Sequence, residues 1–378
     1  MIRFGFLSSY PPTRCGLATF TESLASALVH GGGADARIVR VLDASDPRPL
    51  TLLGAHSTIA ADLIGGDRAS IAAAIRALNG CDVAIVQHEY GIYGGRDGEE
   101  VVEVMRGIAT ASIVVLHTVL AGPTAHQREI LQEVCELATV VVAMTENARD
   151  LLLACYAVDP AKISVIPHGV PVWSETSPSR PRAEKRVLTW GLISPGKGIE
   201  WGIRAMAQLG DIGVPVRYIV AGQTHPKVLA QSGEAYRDML RALVAQSELD
   251  ETVALDGHYR DARELAELVR SADVVLLPYD SRDQATSGVL VEAIAAGIPV
   301  VATAFPHAVE LLSGGAGLIV AHEDPAAIAD ALRTVLTTAD AAERMRTVAQ
   351  RDTQNTSWSA VAAQYRALSE QVLMVRVA

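Results

Sequence analysis

Residues 274–303 read VVLLPYDSRDQATSGVLVEAIAAGIPVVAT, and this stretch divides into three segments. Val274–Pro278 is short and wholly apolar, the pattern of a strand buried on both faces of a parallel sheet. Asp280–Gly288 is polar and ends in Thr286-Ser287-Gly288. Val289–Ala296 is small and apolar apart from Glu292, and Gly297 and Pro299 supply helix stop signals. The spacing therefore predicts strand, loop and helix, with Thr286 or Ser287 near the N-cap.

A helix that starts here has chemical consequences. Its first-turn N–H groups are unpaired and carry partial positive charge, and Gly288 lets a ligand come close to the backbone. A phosphate suits that position. Glu292 lies about one turn inside an otherwise apolar helix, where a carboxylate needs a partner; a ribose diol is one that fits. The same residues also read as a plain buried βα unit with Glu292 at its solvent edge.

The run Glu292-Ala293-Ile294-Ala295-Ala296-Gly297-Ile298-Pro299-Val300-Val301-Ala302-Thr303 resembles the donor-site signature of retaining glycosyltransferases of family four, the group 1 type. That family has the GT-B architecture. Glu292 matches the second acid of its paired-acid motif, and the position of the first acid, eight residues earlier, is Gln284 here. The resemblance implies an α/β chain of two Rossmann-like doubly wound domains facing across a cleft, with a C-terminal helix crossing back to the first.

Composition is compatible with that expectation. At 378 residues the chain exceeds one comfortable core, so two domains are expected. With 49% apolar and 20% charged residues it is a globular composition. A net charge of −11 argues against sequence-independent nucleic-acid binding, which needs a basic surface. Cys15, Cys81, Cys135 and Cys155 are far apart and form no CxxC, so neither a disulfide scaffold nor a zinc site is expected, and a reducing cytoplasm fits. The N-terminal apolar run is too short for a signal peptide. The longest candidate span, Gly288–Phe305, contains Glu292 and Pro299, so no transmembrane segment is expected; peripheral membrane contact stays open.

Along the chain, Ile2–Leu7 reads as a strand, then a turn-rich loop to Gly16, then a helix with Leu17, Phe20, Leu24 and Leu28 on one face. Arg37–Leu42, Asp82–Gln87, Ser112–His117, Thr139–Met144 and Ile163–Ile166 read as further strands with helical runs between most of them. Such alternation implies a parallel doubly wound sheet, whose ligands bind beyond the carboxyl ends of its strands. His88 and His117 lie at such ends, as do Glu89 and Tyr90 beside the Gly-rich loop Gly91–Gly98. Ser174–Arg186, polar and Pro-rich, reads as a linker. Expected boundaries are a first domain over 1–173, the linker 174–186, a second domain over 187–355 and a crossing helix over 356–378.

The second half restarts with a strand at Arg186–Trp190, then Gly191-Leu192-Ile193-Ser194-Pro195-Gly196-Lys197-Gly198 and a helix. A Lys in a Gly/Pro loop ahead of a helix suits phosphate. Gly191, Lys197 and Gly198 match the family's glycine–lysine motif, whereas its Arg is Leu192 here. Further strands read at Val216–Ala221, Thr252–Asp256 and Gly317–Val320, and Asp324-Pro325 opens a helix. The tail from Trp358 is amphipathic.

The resemblance implies a retaining hexosyltransferase using a nucleotide sugar of the GDP-mannose or UDP-glucose type, with a carbohydrate or glycolipid acceptor. It implies catalytic roles for His117, Lys197 and Glu292. Donor binding would fall to Gly16, Gly191, Lys197, Gly222, His258, Gln284, Thr286, Ser287, Gly288 and Glu292, and the acceptor side to His88, Glu89 and Tyr90. No Asp-x-Asp clamp is present, so no metal and no cofactor beyond the co-substrate is expected. Two alternatives remain open: a phosphorylase on the same fold using inorganic phosphate, and a non-catalytic nucleotide-sugar-binding protein.

Overall fold

The computed structural model describes residues 1–42, 56–172, 183–210 and 212–377. It contains two compact units, one formed by Met1–Gly169 with Thr356–Ala378, the other by Val170–Asn355.

In the first unit the chain runs through β1 (Ile2–Ser8), α1 (Gly16–His30), β2 (Ala34–Leu42), β3 (Ser57–Ile64), α2 (Arg68–Asn79), β4 (Val83–His88), α3 (Glu100–Gly107), β5 (Ala111–Leu116), α4 (Ala125–Leu137), β6 (Val140–Ala143), α5 (Glu146–Cys155) and β7 (Ile163–Val165). The strands form one parallel sheet in the order β3-β2-β1-β4-β5-β6-β7. Alternate residues of the central strands face one core: Phe4 and Phe6, Val83 and Ile85, Ile113 and Val115, packed with Phe20, Leu24 and Leu28 of α1. Each such large apolar side chain contributes roughly 1.5–3 kcal/mol by leaving water.

β3 was not among the strands expected from the sequence. Its own signal is a period-two alternation: Ile59, Ala61 and Leu63 are buried. Asp62 falls at an alternate, half-exposed position of that pattern and serves Arg40 of β2, which is 1% exposed. Arg40 Nε donates to Asp62 Oδ1 at 2.8 Å, so the sealed guanidinium is not left without a counter-charge.

The second unit runs through β8 (Lys185–Trp190), α6 (Ile199–Leu209), β9 (Val216–Ala221), α7 (Pro226–Ser232), α8 (Ala235–Gln246), β10 (Val253–Asp256), α9 (Ala262–Arg270), β11 (Val274–Leu277), α10 (Gly288–Ala295), β12 (Val300–Thr303), α11 (Pro306–Leu312), β13 (Gly317–Val320), α12 (Pro325–Thr337) and α13 (Ala339–Asp352). Its parallel sheet has the order β10-β9-β8-β11-β12-β13. Val274 and Leu276 of β11 enter one core and Val275 and Leu277 the other, which is why this strand is apolar without alternation. Of the expected linker, residues 174–182 lie outside the described residues, and Lys185 and Arg186 already belong to β8.

The last helix, α14 (Trp358–Val377), returns to the first unit, as the resemblance implied. Val361 and Tyr365 join the core beneath α1, and Arg366 Nη2 donates to Leu28 O at 2.7 Å. Among the described residues no helix is long and apolar enough to cross a membrane.

In both sheets the first and fourth strands of the unit lie side by side: β1 beside β4, β8 beside β11. Chain direction across the sheet reverses there, leaving a crevice beyond the carboxyl ends of the two strands. Open α/β sheets bind ligands at that crevice.

Candidate functional site

Three loops meet at the carboxyl ends of β9, β8 and β11 in the second unit. Gly191 N donates to Ala221 O at 3.0 Å, Ile193 N to Gln223 O at 2.8 Å, and His225 N to Ile193 O at 2.8 Å. On the other side Asp280 N donates to Gly196 O at 3.0 Å. Two glycines make this lacing possible. A Cβ on Gly222 (φ +147) would stand 1.8 Å from Gly191 O, and one on Gly198 (φ +60) 1.8 Å from Pro278 O.

Lys197 is half-buried, and its Nζ lies 4.1 Å from the centroid of the Tyr279 ring. Tyr279 is 2% exposed and stacks on Phe305, with centroids 5.1 Å apart. Its carbonyl accepts from Thr303 Oγ1 at 2.6 Å and from His322 Nδ1 at 2.8 Å, so the platform under the ammonium is rigid. Among the described residues no carboxylate pairs with Lys197. Leu192 adds no charge.

At the head of α10 the polar groups are divided between structure and the opening. Ser287 is the N-cap: its hydroxyl accepts from Leu290 N at 3.3 Å. The Ser287 amide donates to the buried His307 Nδ1 at 2.8 Å. Gly288 and Val289 therefore supply the outward first-turn amides. Gln284 donates its amide to Thr286 O at 2.5 Å, and the Thr286 hydroxyl is buried without a hydrogen-bond partner. Glu292 is half-buried, and burial pushes its carboxyl up to about 7, with the Trp190 indole working in the opposite direction. The Trp190 N–H itself is buried and makes no close hydrogen bond.

His258 follows β10. Its amide donates to Asp256 Oδ1 at 2.8 Å, while the ring is exposed and 3.6 Å from Glu264.

In the first unit Ser8, Gln87 and His117 continue the inward-facing positions of β1, β4 and β5 beyond the apolar rows that end at Phe6, Ile85 and Val115. His117 Nε2 lies 2.7 Å from Gln87 Oε1. The His117 and His168 rings each meet Phe20 edge-on at 4.8 and 5.1 Å, and Trp358 of α14 closes the group at 5.1 Å from Phe20. Burial, with His168 and His88 nearby, pushes His117 down to about 3, and burial pushes His88 and His168 down to about 4. All three rings are neutral near pH 7.

His88 sits edge-on to Tyr90, 5.0 Å between centroids, and the Glu89 carboxylate accepts from the Thr118 hydroxyl. Tyr90 OH donates to Gln127 O at 3.2 Å. Gly16 opens α1 behind Cys15, whose Sγ accepts from Ala18 N at 3.4 Å. A Cβ on Gly16 would meet nothing within 4 Å, so no protein neighbour requires glycine there.

Gly191, Lys197, Gly222, Gln284, Thr286, Ser287, Gly288 and Glu292 thus lie on the loops and helix at the carboxyl end of the second unit's sheet. His258 stands at the neighbouring strand end. Sequence reasoning did not single out Trp190, Asp280 or His307. Asp280 accepts from Trp201 Nε1 at 2.8 Å and ties the opening stretch to α6. His307 acts through contact with a residue twenty positions away, for which the local pattern has no signal.

Residues 184–338 match the family described as glycosyl transferases group 1. The D-inositol 3-phosphate glycosyltransferase of Kineococcus radiotolerans is 32% identical over 61% of this chain and 57% of its own length. That of Corynebacterium glutamicum is 31% identical over 65% and 60%. The chain thus spans less than two thirds of these curated relatives. Among solved structures, a sucrose-phosphate synthase from Thermosynechococcus elongatus superposes with a TM-score of 0.77 at 20% identity, covering 99% of this chain and 100% of that one. Anabaena HepE, solved with UDP and glucose, superposes with a TM-score of 0.76 at 16% identity over 98% and 100%.

Proposed function

We propose that the chain is a group 1 glycosyltransferase of the GT-B fold, and that it moves a hexose from a nucleotide sugar of the GDP-mannose or UDP-glucose type to an acceptor, with retention at the anomeric carbon. The observation that carries this reading is the laced trio of loops at the β8/β11 switch point. It combines a carboxylate-free Lys197 with the outward amides of Gly288 and Val289.

In the proposed step the bond from sugar C1 to the diphosphate oxygen breaks. Negative charge grows on the departing phosphate, where Lys197 and the α10 amides stabilise it. The acceptor oxygen bonds to C1 on the face the phosphate leaves, and its proton passes to a phosphate oxygen. Glu292 is assigned to the ribose diol and Gln284, as neutral donor and acceptor, to a sugar hydroxyl. In the first unit His117 is assigned to the sugar hydroxyls, and His88, Glu89 and Tyr90 to the acceptor. No resident metal is needed in this scheme, which places the enzyme's cationic work on Lys197; a cytoplasmic location goes with the free thiols.

Titration calorimetry with UDP, GDP and ADP, followed by turnover of the corresponding sugar conjugates, tests this. Binding of one nucleoside diphosphate and hydrolysis or transfer of its sugar are expected. Binding of none, with release of sugar phosphate from a disaccharide and inorganic phosphate, would establish the phosphorylase. Binding without any turnover would establish the non-catalytic reading.

A further inference from the structure

The loop after β9 carries a histidine that the proposed chemistry has not used. Ile193 and Thr224 form a parallel bridge, and His225 N donates to Ile193 O at 2.8 Å, so His225 is seated directly against the Lys197 loop. The seat is built from beneath. Arg237 of α8, 4% exposed, donates from Nη2 to Gly222 O at 2.5 Å and from Nε to Thr224 Oγ1 at 3.4 Å. Glu234 accepts from the Thr224 hydroxyl and lies 3.4 Å from Arg237 Nε.

The tautomer of His225 follows from its own contacts. Nδ1 accepts from Lys227 N at 3.2 Å and therefore carries the lone pair. The neutral ring then has its proton on Nε2, as a donor. Burial first, then the charges of Lys227 of α7 and Lys197 of the adjoining loop, hold the ring below its ordinary range. His225 and Lys197 thus stand on adjoining loops, where Leu192 adds no charge.

We propose that His225 is a second contact for the diphosphate of the nucleotide sugar, its Nε2–H donating to a phosphate oxygen beside Lys197. This rests on the donor site proposed above. The ring stays neutral in this contact: Nδ1 remains occupied by the Lys227 amide, and Nε2–H donates to the phosphate beside the charged Lys197.

Inorganic pyrophosphate is the probe, because it lacks the ribose assigned to Glu292. Calorimetry near pH 7 reads the affinity. Wild type should bind pyrophosphate. His225→Asn keeps an acceptor able to cap α7 but is too short to reach the phosphate, so it should bind about 10-fold more weakly at an unchanged melting temperature. His225→Ala should behave the same in binding. If His225→Asn restores wild-type affinity while His225→Ala does not, the residue is only a helix cap and the proposal fails. If both variants match wild type, it fails as well. If wild-type protein binds neither pyrophosphate nor any nucleoside diphosphate, the donor site itself is wrong and His225 falls with it.

Discussion

His117 Nε2 and Gln87 Oε1 lie 2.7 Å apart, and that one contact settles how the histidine meets its surroundings. An amide oxygen only accepts, so Nε2 carries the proton and Nδ1 presents a lone pair. Gln87 is in turn held by its carbonyl, which accepts from Tyr93 OH at 2.6 Å. Replacing Gln87 by Leu should leave the ring in place against Phe20 but free to turn, lowering turnover about 10-fold, as loss of an orienting partner commonly does. Nucleotide affinity, assigned to the second unit, should not change. Gln87→Glu keeps an acceptor but sets a carboxylate beside a ring now at about 3, and so should add a pH-dependent limb to kcat that wild type lacks. Steady-state kinetics from pH 5 to 8 separate the cases; wild-type turnover in Gln87→Leu and His117→Ala together would remove His117 from the chemistry.

Lys197→Ala should cost on the order of 10²–10³ in turnover, the usual effect of losing one preorganised charge-stabilising donor. Its structural role is small. The ammonium above Tyr279 is worth about 0.5–1 kcal/mol in a partly exposed setting, so the melting temperature should fall by only a few degrees. Kinetics beside a melting curve distinguish the two, and near-native turnover would defeat the phosphate assignment.

Glu292 should betray itself through pH. Its folded-state pKa is raised to about 7 from 4.5, chiefly by burial, so the unfolded chain holds fewer protons than the native one between those values. Stability should therefore be full below about pH 4.5 and decline as pH rises through 7. Glu292→Gln removes that penalty, and the ligand-free variant should be more stable than wild type at pH 8, with the gap closing near pH 5. Nucleotide binding moves the other way, because a ribose diol bonds best to the carboxylate. The variant should bind nucleotide more weakly by roughly 1.5–3 kcal/mol. Denaturant midpoints at the two pH values and one calorimetric titration check both halves.

His126 opens α4 with carboxylates on both ring nitrogens: Nδ1 to Asp97 Oδ2 at 2.9 Å and Nε2 to Glu99 Oε2 at 3.1 Å. Bonding both requires two ring protons. The Asp97 bond first, then the Glu99 bond, raises the pKa of His126, against exposure-limited desolvation and Arg96. A raised histidine pKa gives stability that is present below the ordinary value of 6.5 and is lost as pH rises through the folded one. Amide exchange over Gly94–Glu99 should thus accelerate, beyond the intrinsic base-catalysed rise, between pH 6 and pH 9. His126→Ala should exchange fast at both; equal protection in the two proteins at pH 6 would show that the clamp holds nothing.

Much of the architecture could be read from local pattern alone, because its causes are local. The unbroken apolar run Val274–Pro278 and the Gly297–Pro299 stop specify a doubly buried strand and the end of the next helix whatever surrounds them. The glycines at 191, 198 and 222 announce backbone that other residues adopt poorly, and each has positive φ. What the sequence could not decide is which partner each polar group finds. Ser287 offers an amide and a hydroxyl at a helix start, yet only packing assigns the amide to His307 and the hydroxyl to Leu290 N. Arg40 is a charge at a buried position of β2 until Asp62 is seen opposite it on β3. The raised Glu292 and the three depressed histidines likewise depend on how much water the folded chain excludes, a quantity fixed by segments hundreds of residues apart, as where Trp358 closes over Phe20. Side-chain type and spacing set the elements; burial and long-range pairing set the protonation, tautomer and orientation from which the chemistry follows.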